Sequence, residues 1–379
     1  MDFAYSPTQL ELRMKAARDA GCFRVEAGAF AKSAGWQAAA KEGWMGLCLS
    51  RPAGAGLSAL DTVTAFEALG EAGASRGAVF ATGAHLFGAA TAMSRFGSAD
   101  EVQDLLDKLA AGQAVGALAL TEPSGGSTLS AMETVIRDLG RGELSLAGAK
   151  TYVTNATQAD VLLVLAREDG APPPMNLTVL LVPADTSGVT IEPLAGGRGL
   201  AGADMGRVRF DGCVLPECAV LGRRRAGLAV FMAMMQWERS CILAGNLGAL
   251  ERDFRAVCAH LEARRDANGS LTAHQAVCHP LADVQARIEA ARLILYRGAW
   301  SLDQGKDAAH WPSISKLTLA ETLVECHVIL RQLMAGAGWS NQAGIADALD
   351  DALAVAAASG TSEIQRTLIA TRLHQSGQR

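Results

Sequence analysis

The stretch Ala119-Leu-Thr-Glu-Pro-Ser-Gly-Gly-Ser127 decides the fold. It ends a β-type run at 115–120 and is rich in small residues. Gly125 and Gly126 let a backbone approach a ligand closely, while Thr121 and Ser127 present hydroxyls. Two other segments share this quality. Lys150-Thr-Tyr-Val-Thr-Asn155 reads as an alternating strand carrying Tyr152 and Thr154. In Ser359-Gly-Thr-Ser-Glu-Ile-Gln365 a glycine turn opens a helix, whose free N–H groups suit an anion or a carbonyl. Taken singly, each reads equally well as an ordinary turn, strand or helix start.

The pattern changes on either side of the first stretch. Residues 6–115 are Ala-rich with helical periodicity, and Ser6-Pro7 before Leu10, Leu12, Met14 and Ala17 predicts a capped amphipathic helix. Apolar helical patterns recur at 58–71 and 79–96. Short β-type runs follow at 115–120, 144–146, 161–166, 177–182 and 208–210, separated by turns such as Asp169-Gly170 and Pro172-Pro-Pro174. Helical patterns then return at 227–263, 274–304, 311–336, 343–357 and 362–374, broken by Asn268-Gly269, Pro312 and Gly336-Ala-Gly338. The order helix, sheet, helix predicts an α+β protein with a small β insert. Its long apolar helices suit a four-helix bundle.

Composition narrows the class. The 379 residues are half hydrophobic and 19% charged, with a net charge of -5. That charge argues against a nucleic-acid surface. No apolar run is long enough to span a bilayer, and the polar start lacks a signal core. A cytoplasmic protein is expected. The eight cysteines form no CxxC pair and sit beside no histidine cluster, so reduced thiols and no metal are expected.

In this order and spacing the motifs resemble the acyl-CoA dehydrogenase family over nearly the whole chain. The run from Asp2-Phe-Ala-Tyr to Arg13 is similar to the family's first helix. Ala53-Gly-Ala-Gly56, Arg95-Phe-Gly97, Tyr152-Val-Thr-Asn155, Phe210-Asp-Gly-Cys-Val-Leu-Pro216, Gly336-Ala-Gly338 and Gly360-Thr361 follow without a gap. The resemblance implies an N-terminal helical domain (1–116), a middle β-barrel or sandwich domain (117–223) and a C-terminal four-helix bundle (224–379). It also implies bound FAD, an acyl-CoA or acyl-carrier-protein thioester as substrate, and a homotetramer or homodimer. An electron-transfer flavoprotein or similar acceptor would reoxidise it.

Position by position, the resemblance puts Leu120 and Thr121 on the flavin ring and Ser127 near the FAD phosphates and the thioester. Tyr152 would cover the flavin, and Thr154 would sit beside its N5 edge. Arg264 and Gln275 would reach the FAD of a neighbouring subunit, Gln332 and Gly336 would form the adenine side, and Thr361 and Glu363 would make further cofactor contacts. Arginines and helix N-termini suit a pyrophosphate, and a reduced flavin needs hydrogen-bond donors.

The chain departs from the family where the chemistry is decided. Ser359 and Ala358 stand where many members carry the proton-abstracting Glu and an aromatic. Asn268 replaces the Gly of Arg-x-x-Phe-Gly, whose Phe is also lost; Asp350 reverses a charge; Thr128 replaces a common Asp. A substitute base is visible. In a helix over 231–248, Phe231, Met234, Met235, Cys241, Ile242 and Gly245 share one side, with Gln236, Arg239 and Ser240 toward the other. Glu238 falls on the apolar side, where burial would raise its pKa into the range of a general base. Isovaleryl- and long-chain-type members resemble this region and carry their catalytic Glu at the matching place. A structural Glu paired with Arg239 or Arg252, or one at a subunit interface, is the alternative. Ser127, Arg239 and the Ser359 N–H are the expected thioester contacts. Arg223-Arg224-Arg225 would attract the phosphate of CoA or of a phosphopantetheine arm, or form a solvated turn. His85, in an apolar helical stretch, reads as structural.

Two other functions fit the same features: a flavin-dependent monooxygenase or oxidase on this fold, and a non-catalytic flavin-binding partner subunit. The intact segment from Thr121 to Ser127 favours a dehydrogenase.

Overall fold

Among the described residues, seven strands in the middle of the chain form one sheet. They are β1 (Gly116–Ala119), β2 (Val135–Gly140), β3 (Glu143–Thr154), β4 (Val161–Glu168), β5 (Leu177–Pro183), β6 (Val189–Pro193) and β7 (Met205–Pro216). The path runs β1-β4-β2-β3-β7-β6, with β5 also paired to β4. β4 is buried on both faces. Leu162, Val164 and Ala166 join Leu180, Val182, Val208 and Phe210 in a core that belongs to the sheet. Val161, Leu163 and Leu165 pack with the helices. This double burial explains the unbroken apolar run of β4. The short runs expected at 144–146 and 208–210 are parts of two 12-residue strands, β3 and β7. β2 and β6 escaped the sequence reading because most of their residues are not buried, so no apolar run marks them.

The structure is a computed structural model and describes residues 3–97, 100–170, 172–173, 175–267, 269–305, 310–340 and 344–376. Of the expectations above, Asp2, Pro174, Asn268 and the helix start at residue 343 lie outside the described residues.

Before the sheet come α1 (Pro7–Asp19), α2 (Ala34–Lys41), α3 (Ala59–Glu71), α4 (Arg76–Gly83), α5 (Thr91–Phe96) and α6 (Asp100–Ala110). After it come α7 (Gly227–Cys241), α8 (Ala244–Ala263), α9 (Gln275–Asp303), α10 (His310–Leu333), α11 (Ala335–Trp339), α12 (Ile345–Ala357) and α13 (Ser362–Ser376). Ser6 caps α1 as its sequence predicts, in a reciprocal capping box with Gln9.

Three expected helices are interrupted. The helical pattern at 79–96 contains a π-helical stretch, Ala84–Ala90, between α4 and α5. That at 227–263 breaks at Ile242 and Leu243. That at 311–336 stops at Leu333, and Ala335 takes a left-handed φ of 49°. The second break separates α7 from α8, which meets α3 backbone to backbone. A Cβ added at Gly248 would lie 1.8 Å from the Glu67 carbonyl oxygen, and one at Gly70 would lie 1.9 Å from that of Gly245. Both obstacles are backbone atoms and cannot swing aside. Gly248→Ala is therefore expected to destabilise the protein by about 1–3 kcal/mol or more. A thermal melt of the FAD-loaded protein that matches wild type would contradict this contact.

Polar ties join the layers. Glu67 of α3 accepts from Arg292 Nε at 2.7 Å and from the Tyr296 hydroxyl at 2.6 Å, both on α9. Asp351 of α12 accepts from the Leu200 N–H of the middle domain. α7 packs against the π-helical stretch, α3, α9, α10 and β5.

Candidate active site

α7 has no solvent-facing polar side at its C-terminal end, which corrects the two-sided helix read from the sequence. Glu238, Arg239, Ser240 and Cys241 are all buried, because neighbouring elements cover the helix on several sides. Glu238 retains 7% exposure. Burial pushes its carboxyl up to about 7, although Ser359 and Arg239 pull the other way. Arg252 pairs with the adjacent Asp253, not with Glu238.

Two features frame the carboxyl group. The Ser359 hydroxyl donates to Glu238 Oε2 at 2.8 Å. On the other side lies the π-helical stretch: a Cβ added at Gly88 would sit 2.8 Å from Glu238 Oε1 and 3.3 Å from Leu118 Cδ2. Gly88 thus brings the carboxyl group close to β1, just before Leu120 and Thr121. π-Helical turns are often found at functional sites. Their i→i+5 bonding is hard to see in sequence, and Gly88 was missed for that reason.

Ser359 sits in a turn between α12 and α13 with a left-handed φ of 53°. Arg239 Nε donates to its carbonyl oxygen at 3.3 Å. Gln365 Nε2 donates to the same oxygen at 3.1 Å and to that of Gly360 at 2.9 Å. Lys316 Nζ of α10 donates to the Ala356 carbonyl oxygen at 2.5 Å. Arg239, an expected thioester contact, binds this turn. Its guanidinium is drawn down to about 10 by burial, and Lys316 to about 8 by burial and by Arg239. Lys316 and Gln365 are buried polar residues that the sequence reading missed, since each looks like an ordinary helix side chain.

The first stretch of the sequence leaves β1 and closes a tight turn, in which Glu122 and Gly125 exchange reciprocal backbone hydrogen bonds of 2.9 and 3.0 Å. The Thr151 N–H donates to the Thr121 carbonyl oxygen at 2.8 Å, tying this turn to β3. Beneath it, Lys150 Nζ donates to the Leu120 carbonyl oxygen at 3.0 Å and to Glu122 Oε1 at 2.9 Å. Burial disfavours the Glu122 carboxylate, but Lys150 and the Glu133 and Thr134 amides outweigh it, holding its pKa below the usual value. In sequence Lys150 reads only as the start of a strand, and its buried contact is not legible there.

β3 is irregular between Lys150 and Val153, and Tyr152 takes a left-handed φ of 55° with 64% exposure. Such a backbone is costly for an aromatic residue. An exposed aromatic beside half-buried Leu120, Thr121 and Thr154 makes an apolar wall with hydroxyls. That donor set fits the ring of FAD. Ser127 is exposed near this turn.

The other expected cofactor residues lie on different elements. Arg264 and Gln275 are exposed around the connection of α8 to α9. Gln332 lines an open apolar cleft of about 280 Å³ with Val328, Trp339 and Leu349, and Gly336 is exposed in α11. Thr361 Oγ1 accepts from the Ile364 N–H at 3.5 Å at the start of α13, and Glu363 is exposed there. In the basic run, Arg224 is committed to Glu168 and Asp138, and Arg225 reaches the Asp169 carbonyl oxygen. This leaves Arg223 as the exposed residue of that run whose partners are not fixed by these contacts. His85 links elements: its Nδ1 accepts from the Gly116 N–H at 3.0 Å, and Nε2 faces the Leu109 carbonyl oxygen at 3.2 Å.

Comparison with known proteins adds to this geometry. Family models described as the N-terminal, middle and C-terminal domains of acyl-CoA dehydrogenase match residues 12–113, 117–213 and 225–374. The chain is 31% identical over 378 residues to an L-prolyl-[peptidyl-carrier protein] dehydrogenase of Pseudomonas fluorescens, covering 98% of this chain and 100% of the relative. It is 28% identical to the human mitochondrial short-chain specific acyl-CoA dehydrogenase, covering 85% and 78%. Among solved structures, PigA with FAD and proline superposes with a TM-score of 0.94 at 28% identity, covering 99% of both chains. The prolyl acyl carrier protein oxidase AnaB superposes with a TM-score of 0.92 at 27% identity, covering 98% and 100%.

Proposed function

Because the chain belongs to the acyl-CoA dehydrogenase family, we propose that Glu238 is the base in its oxidation of an aminoacyl thioester carried on a carrier protein. The coarser activity is FAD-dependent dehydrogenation of the CH–CH bond of an acyl thioester. The observation that carries the base is the buried Glu238 carboxyl group, held between Ser359 and Gly88 beside β1. The carrier-protein substrate is supported by the full-length match to a prolyl-carrier protein dehydrogenase.

Glu238 takes the proton from the carbon next to the thioester carbonyl. Bound FAD would supply the hydride acceptor for the β-hydrogen, so that a carbon–carbon double bond results. The chain's part is to hold the carboxylate dry and oriented, and to present amides to the thioester oxygen; the Ser359 N–H is our candidate. Leu120, Thr121, Tyr152 and Thr154 would hold the flavin ring, and Ser127 the phosphates and thioester. Arg264, Gln275, Gln332, Gly336, Thr361 and Glu363 would complete the cofactor site, in a homotetramer or homodimer. Domain limits at 116/117 and 223/224, a cytoplasmic setting and reoxidation by an electron-transfer flavoprotein belong to the same reading.

Prolyl and other aminoacyl groups, loaded on a carrier protein or on CoA, test the substrate by anaerobic bleaching of the flavin. Faster bleaching by the carrier-protein form is expected; bleaching by CoA esters alone would overturn that part. The pH dependence has a definite sign. A base works when ionised, and burial places Glu238 at about 7. The bleaching rate should therefore fall about tenfold per pH unit below that value and level off above it. A rate flat from pH 5 to 8 would contradict this. One structural relative is described as an oxidase, which favours a second reading; rapid oxygen consumption by the reduced protein would select it.

A further inference from the structure

We infer that the Ser359 hydroxyl is a positioning group for the base: it binds Glu238 Oε2 and leaves Oε1, over Gly88, as the oxygen that takes the substrate proton. This rests on the reading of Glu238 as base.

The hydroxyl has one hydrogen, and it is directed at Oε2 from 2.8 Å. A hydrogen bond donated to a carboxylate favours its ionised form. The other oxygen faces Gly88, where even one added carbon would come within 2.8 Å. Any side chain at residue 88 would push Oε1 from this position.

The backbone alone does not call for serine. At a φ of 53° a glycine would be unstrained, whereas a side chain costs energy. Ser359 does not cap α13 either, since Thr361 Oγ1 takes the Ile364 N–H. The strained turn is pinned instead by Arg239, Lys316 and Gln365, from α7, α10 and α13. The strain is thus held in place and delivers a hydroxyl to the carboxyl group.

The charged surroundings are simple. Arg239 acts on Glu238 from the same helix. Lys316 of α10 faces Arg239, and Glu363 of α13 acts on Lys316. The π-helical stretch presents Gly88, while its His85 is engaged with Leu109 and Gly116. β1 presents the apolar Leu118.

Ser359→Gly and Ser359→Ala test this together, in FAD-loaded protein. Both remove the hydroxyl; alanine keeps the serine Cβ and its left-handed strain, whereas glycine relieves it. If the hydroxyl tunes the base, both variants raise the pH midpoint of single-turnover flavin bleaching by about one unit, making it roughly tenfold slower at low pH. The protonation of Glu238, followed by infrared difference titration without substrate and identified by its loss in Glu238→Gln, moves up with it. If Ser359 only shapes the turn, alanine, which keeps its Cβ, keeps the wild-type midpoint in both measurements, and the inference is overturned. An unmoved or lowered midpoint in both variants overturns it equally. Full bleaching activity in Glu238→Gln would remove the base reading itself. An inactive Glu238→Gln beside unshifted Ser359 variants would remove only the role of the hydroxyl.

Discussion

Glu238→Gln is expected to slow single-turnover flavin bleaching by about 10³-fold while leaving FAD content and fold unchanged. Glutamine has nearly the same shape. Its carbonyl oxygen can still accept from Ser359, so the 2.8 Å contact survives. What disappears is the capacity to take a proton. Arg239 stays anchored to the Ser359 carbonyl oxygen, so the turn keeps its place. Removal of the carboxylate also ends the burial cost that pushes its pKa to about 7, and the variant should melt no lower than wild type. Stopped-flow bleaching with a thioester that reduces the wild-type enzyme, with the absorbance of bound flavin as a control, checks this. Loss of flavin along with activity would point to a structural Glu238 instead.

Lys150→Met should have the largest effect on stability. Lys150 is fully buried and its ammonium is shared between Glu122 and the Leu120 carbonyl oxygen. Methionine fills a similar volume but strands the Glu122 carboxylate in the interior. Breaking one partner of a buried pair costs about 3–5 kcal/mol. The Thr121 wall is built on this pair, so FAD retention should fall with stability. The pH sign follows from Glu122, whose pKa lies below 4.5 in the folded protein. Its contribution is present above the unfolded value and is lost as pH falls through the lower, folded value. The Lys150→Met variant should therefore be least stable relative to wild type near neutral pH, with the gap closing in acid. Adding Glu122→Gln to Lys150→Met should recover part of the loss, because it removes the stranded charge. Equal melting of wild type and Lys150→Met across pH would contradict the pair's role.

Much of this was legible in the sequence, and the limits have physical causes. The order of helix, sheet and helix followed from periodicity, and β4 and β5 from their apolar runs. β2 and β6 were not legible because their exposed residues leave no apolar run. The breaks at Ala84–Ala90 and at Ile242–Leu243 were hidden because tertiary packing, including the glycine contact of α8 with α3, overrides local helical preference. The cost of burying a charge singled out Glu238 on an apolar helix face. The helical projection that puts Arg239 on a polar side does not hold, because a helix covered on several sides has no polar face to assign. The Ser359 hydroxyl, Gly88 and Lys316 come together from segments far apart in the chain, and no spacing rule encodes such a meeting. Glu122 and Lys150 were both quoted within motifs, yet their contact required β3 to lie beside β1.

Intact-mass analysis of a carrier protein loaded with a prolyl thioester, after separate incubations with equal amounts of FAD-loaded wild type and Glu238→Gln, decides whether Glu238 is the base. Wild type should remove two hydrogens from the carried group, and Glu238→Gln should leave it unchanged over the same time. Loss of the two hydrogens at the wild-type rate in Glu238→Gln, or gain of an oxygen atom in place of that loss, would contradict it.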